Sequence, residues 1–120
     1  MSVLGVLMSH IRIVRASGKW TIRASGAVIG ESTNALELLE GDYPAVIYFP
    51  RSDVAMAFLE PTDKVTHCPH KGEASYFSIE AKNRTLENAV WSYENPKETV
   101  AAIKDHLGFH TGDYLTVEQV

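Results

Sequence analysis

The chain has 120 residues, of which 45% are hydrophobic and 22% are charged. This balance excludes an intrinsically disordered chain, and the length provides for a single hydrophobic core. The formal net charge is −4, and the 11 Lys and Arg residues form no basic run. Tight binding to nucleic acids depends on clustered positive charge, so we expect no nucleic-acid partner.

The N-terminal stretch and the single cysteine indicate the cellular compartment of the protein. Residues 1–8 are apolar but too short for a membrane span, and no positive residue precedes them, so we expect no membrane partner and no export. Cys68 is the only cysteine, which excludes an intramolecular disulfide and is typical of a reducing compartment. We therefore predict a cytoplasmic protein with a ragged N-terminus at residues 1–9 and a single domain at residues 10–120.

Strand signals dominate the chain before its C-terminal quarter. Between residues 20 and 24, apolar and polar residues alternate with period two, and turn-forming Ser-Gly pairs stand on both sides. Residues 35–40 are too few to show a helical period of 3.6, and we predict a strand there as well. The predicted strands cover residues 11–15, 20–24, 28–29, 35–40, 45–49, 64–68, 73–80 and 89–94, with a last one within residues 109–120.

Two stretches carry helix signals. The first, residues 54–59, follows Ser52, a residue type that caps helix N-termini, and precedes Pro61. The second begins after Asn95 and ends before Gly108. Its further signals are Pro96 at the first helical position, Glu98 in a capping box, and an apolar stripe of Val100, Ile103 and Leu107.

The number and spacing of the strands define the fold class. Many short strands separated by turn signals predict a mainly β protein with α+β features, built as a small antiparallel barrel or sandwich. It has one short helix and one C-terminal helix, whose apolar stripe suits packing against a sheet. The sequence contains no signal of repeats or of an internal domain boundary.

Reactive residue types are concentrated around one predicted turn. Cys68 lies near Lys71, whose positive charge favours a thiolate, and a neighbouring His could act as base, so Cys68 is a candidate nucleophile. Alternatively, Cys68 is a small buried apolar side chain, as lone cysteines on strands commonly are. We expect no metal site, because a C-x-x-C pair is absent and only Cys68 and His70 could converge directly.

A second candidate region precedes the short predicted helix. Arg51 and Asp53 flank its N-terminus, where free backbone N–H groups and a guanidinium suit a phosphate or carboxylate. The alternative is a structural ion pair between Arg51 and Asp53 or a helix-capping Asp53. Tyr76, Trp91 and Tyr93 have the ring area to line a ligand cleft, and such residues on alternating strands are also typical of a core.

Three motifs stand in order along the chain. They are Tyr48-Phe49-Pro50-Arg51-x-Asp53-Val54, Thr66-x-Cys68-Pro69-x-Lys71-Gly72-x-Ala74-Ser75-Tyr76 and Ala89-x-Trp91-x-Tyr93-x-x-Pro96. The chain thereby resembles domain-of-unknown-function family 427, also labelled nucleotidyltransferase family 9-like, over about residues 10–110. The resemblance implies a stand-alone bacterial-type domain of mainly β structure, similar to tent-shaped or barrel-like small β folds, with no established activity. The sequence differs from the family pattern at His70, where the family usually has Tyr or Phe, and at His110, where Tyr is common.

Two functional hypotheses follow. In the first, a small anionic molecule binds in a cleft near the Arg51 and Asp53 motif and the motif from Cys68 to Tyr76, with or without catalysis. In the second, the same motifs stabilise a non-catalytic interaction module. Self-association is compatible with both. Neither a G-S-x-D-x-D motif nor a Gly-rich phosphate loop is present, so the sequence identifies no cofactor.

The first hypothesis assigns roles to named residues. Arg51 and Lys71 would contact the anion, and Asp53 or Glu73 would act as base. Cys68 would be an optional nucleophile. The catalytic candidates are Cys68, Lys71 and Asp53, and the candidate ligand-binding residues are Arg51, Glu73, Ser75, Tyr76 and Trp91.

Overall fold

Ten β-strands make up most of the described part of the chain. This part is residues 10–120 of a computed structural model, so the predicted ragged end at residues 1–9 lies outside the described residues. The strands are β1 (Ile11–Arg15), β2 (Trp20–Ala24), β3 (Ala27–Ser32), β4 (Leu36–Glu40), β5 (Val46–Tyr48), β6 (Leu59–Cys68), β7 (Gly72–Ala81), β8 (Arg84–Ser92), β9 (Gly108–Phe109) and β10 (Leu115–Gln119).

The strands form three antiparallel sheets, with the orders β1-β4-β5, β10-β2-β3 and β6-β7-β8-β9. The prediction of a mainly β fold is confirmed. Two backbone hydrogen bonds of 2.9 Å each connect Phe49, which follows β5, with Leu107, which precedes β9. Between β5 and β9 this single residue pair joins the first sheet to the third. A barrel would need a continuous ladder at such joints. The predicted barrel is therefore wrong, because no closed barrel forms among residues 10–120.

The third sheet has the longest strands, and both of its long pairings are irregular. The register shifts between Pro61 and Val65 on β6, and again opposite β8 between Phe77 and Ile79. Proline cannot donate to a ladder, and bulges bend a strand and increase its twist. Pro61 thus accounts for the register shift on β6, a strand that begins at Leu59 where the sequence predicts it only from residue 64.

The helix predicted at residues 54–59 is absent. Two single-turn 3₁₀ helices, Arg51–Asp53 and Met56–Phe58, stand on either side of Val54, which is extended and bridges to Gly30 of β3. Neither turn has a side-chain cap. The prediction is wrong because the backbone in the middle of the stretch pairs with a neighbouring strand, and long-range pairing overrides weak local helix propensity.

The C-terminal helix is shorter than predicted and is a 3₁₀ helix, Glu98–Ile103. Val100 has φ −123° and ψ 27°, which interrupts the helical conformation. Beyond it, Asp105 has φ +62° and donates its backbone N–H to the carbonyl oxygen of Tyr93 at 3.1 Å. Contact with the chain beyond β8 thus ends the helix before the predicted stop. Among the described residues only this helix is longer than a single turn, whereas the sequence predicts two helices.

Two clusters of buried side chains lie on opposite faces of the third sheet. On β7, Ala74 and Tyr76 join one cluster, and Phe77 and Ile79 join the other, as the pleat of a strand dictates. The phenylalanine cluster comprises Ala16, Ile22, Ala24, Ile29, Ala35, Phe49, Val54, Leu59, Phe77, Ile79, Ala89, Val90, Leu107, Phe109 and Leu115. The tyrosine cluster comprises Leu38, Tyr48, Ala74, Tyr76, Tyr93, Val100 and Ile103.

Candidate functional site

A lysine and a glutamate form a largely buried ion pair beside the tyrosine cluster. Lys71 Nζ donates to Glu40 Oε1 at 2.9 Å, and the two side chains are 12% and 17% exposed. Lys71 ends the turn between β6 and β7, and Glu40 ends β4. The turn depends on Gly72, whose φ of +114° is one that other residues rarely adopt. Because Glu40 belongs to the first sheet and Lys71 lies between two strands of the third, the ion pair ties these two sheets together.

The lysine remains protonated at neutral pH. Burial lowers the pKa of Lys71, but its hydrogen bond to Glu40 and its electrostatic interactions with Cys68 and Glu40 raise it by more, so the net pKa lies above the usual value. Lys71 is therefore a fixed ammonium and is unsuited to act as a neutral amine base or nucleophile.

The ammonium lines a cavity of about 250 Å³ whose walls are mainly aromatic. Trp91 Nε1 donates to the hydroxyl of Tyr48 at 3.1 Å, and Tyr76 shares a hydrogen bond of 2.9 Å with Thr66 Oγ1. These bonds hold three of the rings that line the cavity. The full lining is Leu38, Glu40, Tyr43, Pro44, Val46, Tyr48, Lys71, Tyr76, Trp91, Tyr93 and His110.

The tyrosine hydroxyls of the cavity keep their protons. Burial raises the pKa of Tyr48, and burial raises the pKa of Tyr93 by a larger amount, with a further increase from neighbouring Tyr48. Tyr48 accepts the bond from Trp91, so its own O–H is left to donate. The hydroxyl of Tyr93 has no hydrogen-bond partner within residues 10–120. Both can serve as neutral donors to a bound molecule.

His110 forms the remaining aromatic wall. Its ring lies nearly parallel to that of Tyr76, at 6° and 6.4 Å between centroids, and 4.5 Å from that of Trp91. Burial, and then the positive charge of Lys64, lower the pKa of His110. The ring is therefore neutral at pH 7.

Trp91 owes its position to Gly108 of β9. A Cβ atom added at position 108 would lie 2.6 Å from Cε2 and Cζ2 of the indole, which is closer than real atoms approach. The absence of a side chain at Gly108 thus leaves the space that the indole occupies, whereas the sequence predicts this glycine only as a helix stop. Beyond Trp91 and His110 the cavity continues into a wider groove of about 960 Å³.

Cys68 lies next to the cavity without lining it. Its Sγ is 3.6 Å from Lys71 Nζ, and its half-buried side chain packs against the tyrosine cluster. The structure therefore brings together four of the predicted site residues. These are Lys71, Tyr76 and Trp91 in the cavity, with Cys68 beside it.

Arg51 is engaged elsewhere. Its guanidinium donates to the carbonyl oxygen of Asp105 at 3.0 Å, to Ser92 Oγ at 2.9 Å and to Glu94 Oε2 at 2.9 Å. Ser75 Oγ also donates to Glu94, at 3.2 Å. Arg51 and Ser75 thus belong to one polar network outside the cavity. Among the described residues Arg51 pairs with Glu94 and not with Asp53, so the predicted ion pair between Arg51 and Asp53 is wrong.

Asp53 and Glu73 also lie outside the cavity. Asp53 Oδ2 accepts a hydrogen bond of 2.6 Å from Ser32 Oγ and lines a separate shallow depression. Glu73 is exposed and stands opposite His67 in the pairing of β6 with β7. The sequence predicts that Arg51 and Asp53 face one cleft together with Lys71 and Tyr76. In the structure only Lys71 and Tyr76 of these four line the cavity. The catalytic and binding roles assigned to the individual residues stay predictions.

Glu40, Tyr48 and His110 are cavity residues that sequence reasoning did not select. Glu40 and Tyr48 come from the first sheet, 31 and 23 positions before Lys71, and no local pattern links such distant positions. His110 carried a usable signal, because it is one of two positions that differ from the family pattern. The other, His70, packs against His10 at 5.9 Å between ring centroids.

No group of three or more His, Cys, Asp or Glu residues is placed to hold a metal ion in the part of the chain that the structure describes. Across residues 10–120, no helix has both the length and the apolar character to span a membrane.

Fold and cavity together define the class: a small protein of open antiparallel sheets with an aromatic cavity closed by a Lys–Glu pair. Residues 12–119 match the family model described as "Domain of unknown function (DUF427)". The chain belongs to this family, as the sequence motifs indicated. The matched range includes every residue that lines the cavity. No curated protein matches the sequence.

Proposed function

We propose that the cavity beside Lys71 binds a small molecule that carries one acidic group on a planar apolar body. The observation that carries this proposal is an ammonium at the wall of a cavity of about 250 Å³ whose other walls are mainly aromatic. Of its three N–H donors, one bonds to Glu40 and one faces Cys68, so one is left for a ligand. Small molecules typically bind in apolar pockets with a few converging polar groups.

The charge of the cavity favours a ligand with a single negative charge. Glu40 balances Lys71, and His110 is neutral at pH 7, so a polyphosphate would face one cation beside one carboxylate. A single carboxylate needs fewer donors, and the ammonium together with the hydroxyls of Tyr48 and Tyr93 supplies them. This refines the predicted small anionic ligand to a monoanion.

A series of three probes of one shape and different charge tests the ligand class. We expect benzoate to raise the melting temperature, because a ligand that binds only the folded state stabilises it. Benzyl alcohol and benzylammonium, which lack the negative charge, should have no comparable effect at the same concentration. Equal shifts with benzyl alcohol and benzoate would mean that the ammonium does not select the ligand, and the proposal would be wrong.

Paired variants test the site. The double variant Lys71→Met/Glu40→Leu removes both charges, so it leaves no unpaired buried ion, and it should lose the benzoate effect. The matched control, Lys19→Met/Glu31→Leu, removes an exposed pair that is 3.5 Å apart and should keep the effect. The variant Glu40→Gln should bind benzoate more tightly than the wild type, because it removes a repelling carboxylate.

The contact between Lys71 and Cys68 supports a second candidate function, a reactive thiol. Nucleophilic cysteines commonly have a cation as neighbour, and here Nζ lies 3.6 Å from Sγ. We expect iodoacetamide to alkylate Cys68 more slowly in the Lys71→Met/Glu40→Leu variant than in the wild type, as measured by mass spectrometry. Equal rates would remove this candidate. If the benzoate test fails as well, the non-catalytic interaction module is the function that remains.

A further inference from the structure

Three turns enclose a depression of about 480 Å³ that is separate from the cavity beside Lys71. They are the turn between β2 and β3, the turn between β7 and β8, and the turn before β10. The depression shares no lining residue with the cavity beside Lys71 or with its groove. Turns at the ends of rigid strands are where binding sites are commonly built.

Positive charge is concentrated in this depression, although the whole chain is negative. Arg23, Lys82 and Arg84 line it, with Asp113 as the single carboxylate, which leaves a local charge of +2 by subtraction (three minus one). Lys82 has no ion pair in the described part of the chain. Arg23 has only a loose contact of 3.9 Å with exposed Glu118. These cations are therefore not neutralised within the molecule.

Arg84 is held by an aromatic ring and not by a carboxylate. Its guanidinium carbon lies 3.5 Å from the ring centroid of Tyr114, which also lines the depression. A guanidinium stacked on a ring keeps its N–H groups free at the edge, where they can bind a planar or tetrahedral anion. The stacking thus orients a donor without reducing its charge.

One hydroxyl of the depression lacks a partner. Ser25 Oγ is the only buried side-chain nitrogen or oxygen atom without a hydrogen bond among residues 10–120, and Ser25 lines the depression. Ser25 and Gly26 both have positive φ, +48° and +87°, as the tight two-residue turns of hairpins require, so the backbone places Ser25 at the depression. An unsatisfied hydroxyl is unfavourable, and a bound acceptor reached by rotation of χ1 would satisfy it.

We infer that this depression is a second binding site, for a small molecule that carries phosphate groups. A phosphate brings the two negative charges and several acceptor oxygens that two unbalanced cations and a free hydroxyl require. A nucleic acid would need a longer basic stripe, and the net charge of −4 opposes one. The inference does not depend on the proposed function of the other cavity.

Calorimetric titration with inorganic pyrophosphate at 0.15 M salt tests the inference. We expect the wild type to bind, and the variants Lys82→Gln and Arg84→Gln to bind at least tenfold more weakly. Both residues are exposed, so the variants should fold, and circular dichroism checks this. The variant Arg84→Lys keeps the charge and loses the fork of donors, so its affinity should lie in between.

Controls separate this site from general electrostatic attraction and from the other cavity. Lys104→Gln, an exposed lysine outside the depression, and Lys71→Met/Glu40→Leu should both bind pyrophosphate like the wild type. An equal loss with Lys104→Gln, or no binding at millimolar pyrophosphate, would overturn the inference. It would also be overturned if a single-stranded oligonucleotide bound through Lys82 and Arg84 while pyrophosphate did not.

Discussion

The phenylalanine cluster and the tyrosine cluster lie on the two faces of one sheet and differ in their aromatic residues. Phe49 and Phe109 meet edge to face at 5.8 Å and 89°, and the phenylalanine cluster contains no titratable side chain. Tyr48 and Trp91 meet with nearly the same geometry, at 6.1 Å and 89°, and add a hydrogen bond. The same ring packing therefore stabilises both faces, and only the tyrosine cluster adds hydroxyl groups to it.

Neighbouring residues give the strongest test of this comparison. Phe49 is completely buried, and Phe49→Ala should lower the free energy of unfolding by about 4 kcal/mol, because it leaves a cavity in the phenylalanine cluster. Tyr48→Phe keeps the ring and loses the bond to Trp91, so about 1 kcal/mol should be lost. Urea unfolding measures both. Similar losses would show that the hydroxyl of Tyr48 is as important as a core ring.

The two Lys–Glu pairs give the next test. Lys71→Met should lower the free energy of unfolding by about 3 kcal/mol, since it leaves Glu40 unpaired at 17% exposure. Lys19→Met removes a partner from a pair in which both side chains are 50% exposed, and about 0.5 kcal/mol or less should be lost. If the two variants unfold at the same urea concentration, the pair at the cavity is no more than a surface ion pair.

Alkaline pH should weaken the tyrosine cluster selectively. Tyr48, Tyr93 and Lys71 have raised pKa values, so the folded state holds these protons more tightly than the unfolded state. Their stabilising contribution is complete below the ordinary values of 10.0 and 10.5 and is lost as pH rises above them.

Unfolding at pH 9 and pH 11 measures this effect. The double variant Tyr48→Phe/Tyr93→Phe should lose less stability between the two pH values than the wild type does. An unchanged difference would mean that groups outside the tyrosine cluster control alkaline unfolding.

The smallest expected effect comes from His110. Its lowered pKa means that its contribution is present above 6.5 and is lost as pH falls through the folded value. Because the ring is exposed, the change between pH 7.5 and pH 5.5 should be below about 0.5 kcal/mol. His110→Tyr should abolish this loss of stability at acid pH. If the variant loses as much stability as the wild type between the two pH values, another group is responsible.

The sequence predicts those elements whose signal is local. β1 and β2 have the predicted bounds, and the strand at residues 35–40 is present, because alternation and turn residues are short-range features. The helix signals fail where distant backbone intervenes. Val54 pairs with β3, and Asp105 bonds to Tyr93 just beyond β8, and no pattern within a stretch of ten residues reports such contacts.

The candidate site follows the same rule. Lys71, Tyr76 and Trp91 are recognisable because β7 and β8 are adjacent in the chain and in the third sheet. Glu40 completes the ion pair from another sheet, and only the fold reveals it. Arg51 lies apart from the cavity for the reverse reason, since its hydrogen-bond partners Ser92, Glu94 and Asp105 are distant in sequence and hold its guanidinium elsewhere.

The turn that carries Lys71 makes the cavity preorganised. The backbone N–H of Lys71 donates to the carbonyl oxygen of Cys68 at 3.2 Å, and the carbonyl oxygen of Lys71 accepts from the backbone N–H of Lys97 at 2.9 Å. With the ammonium held by Glu40, both ends of the residue are fixed before any ligand arrives. A free lysine loses about 2 kcal/mol of rotamer entropy when it is immobilised. Here folding has already met that cost, so a ligand of the proposed class would not have to order the lysine that receives it.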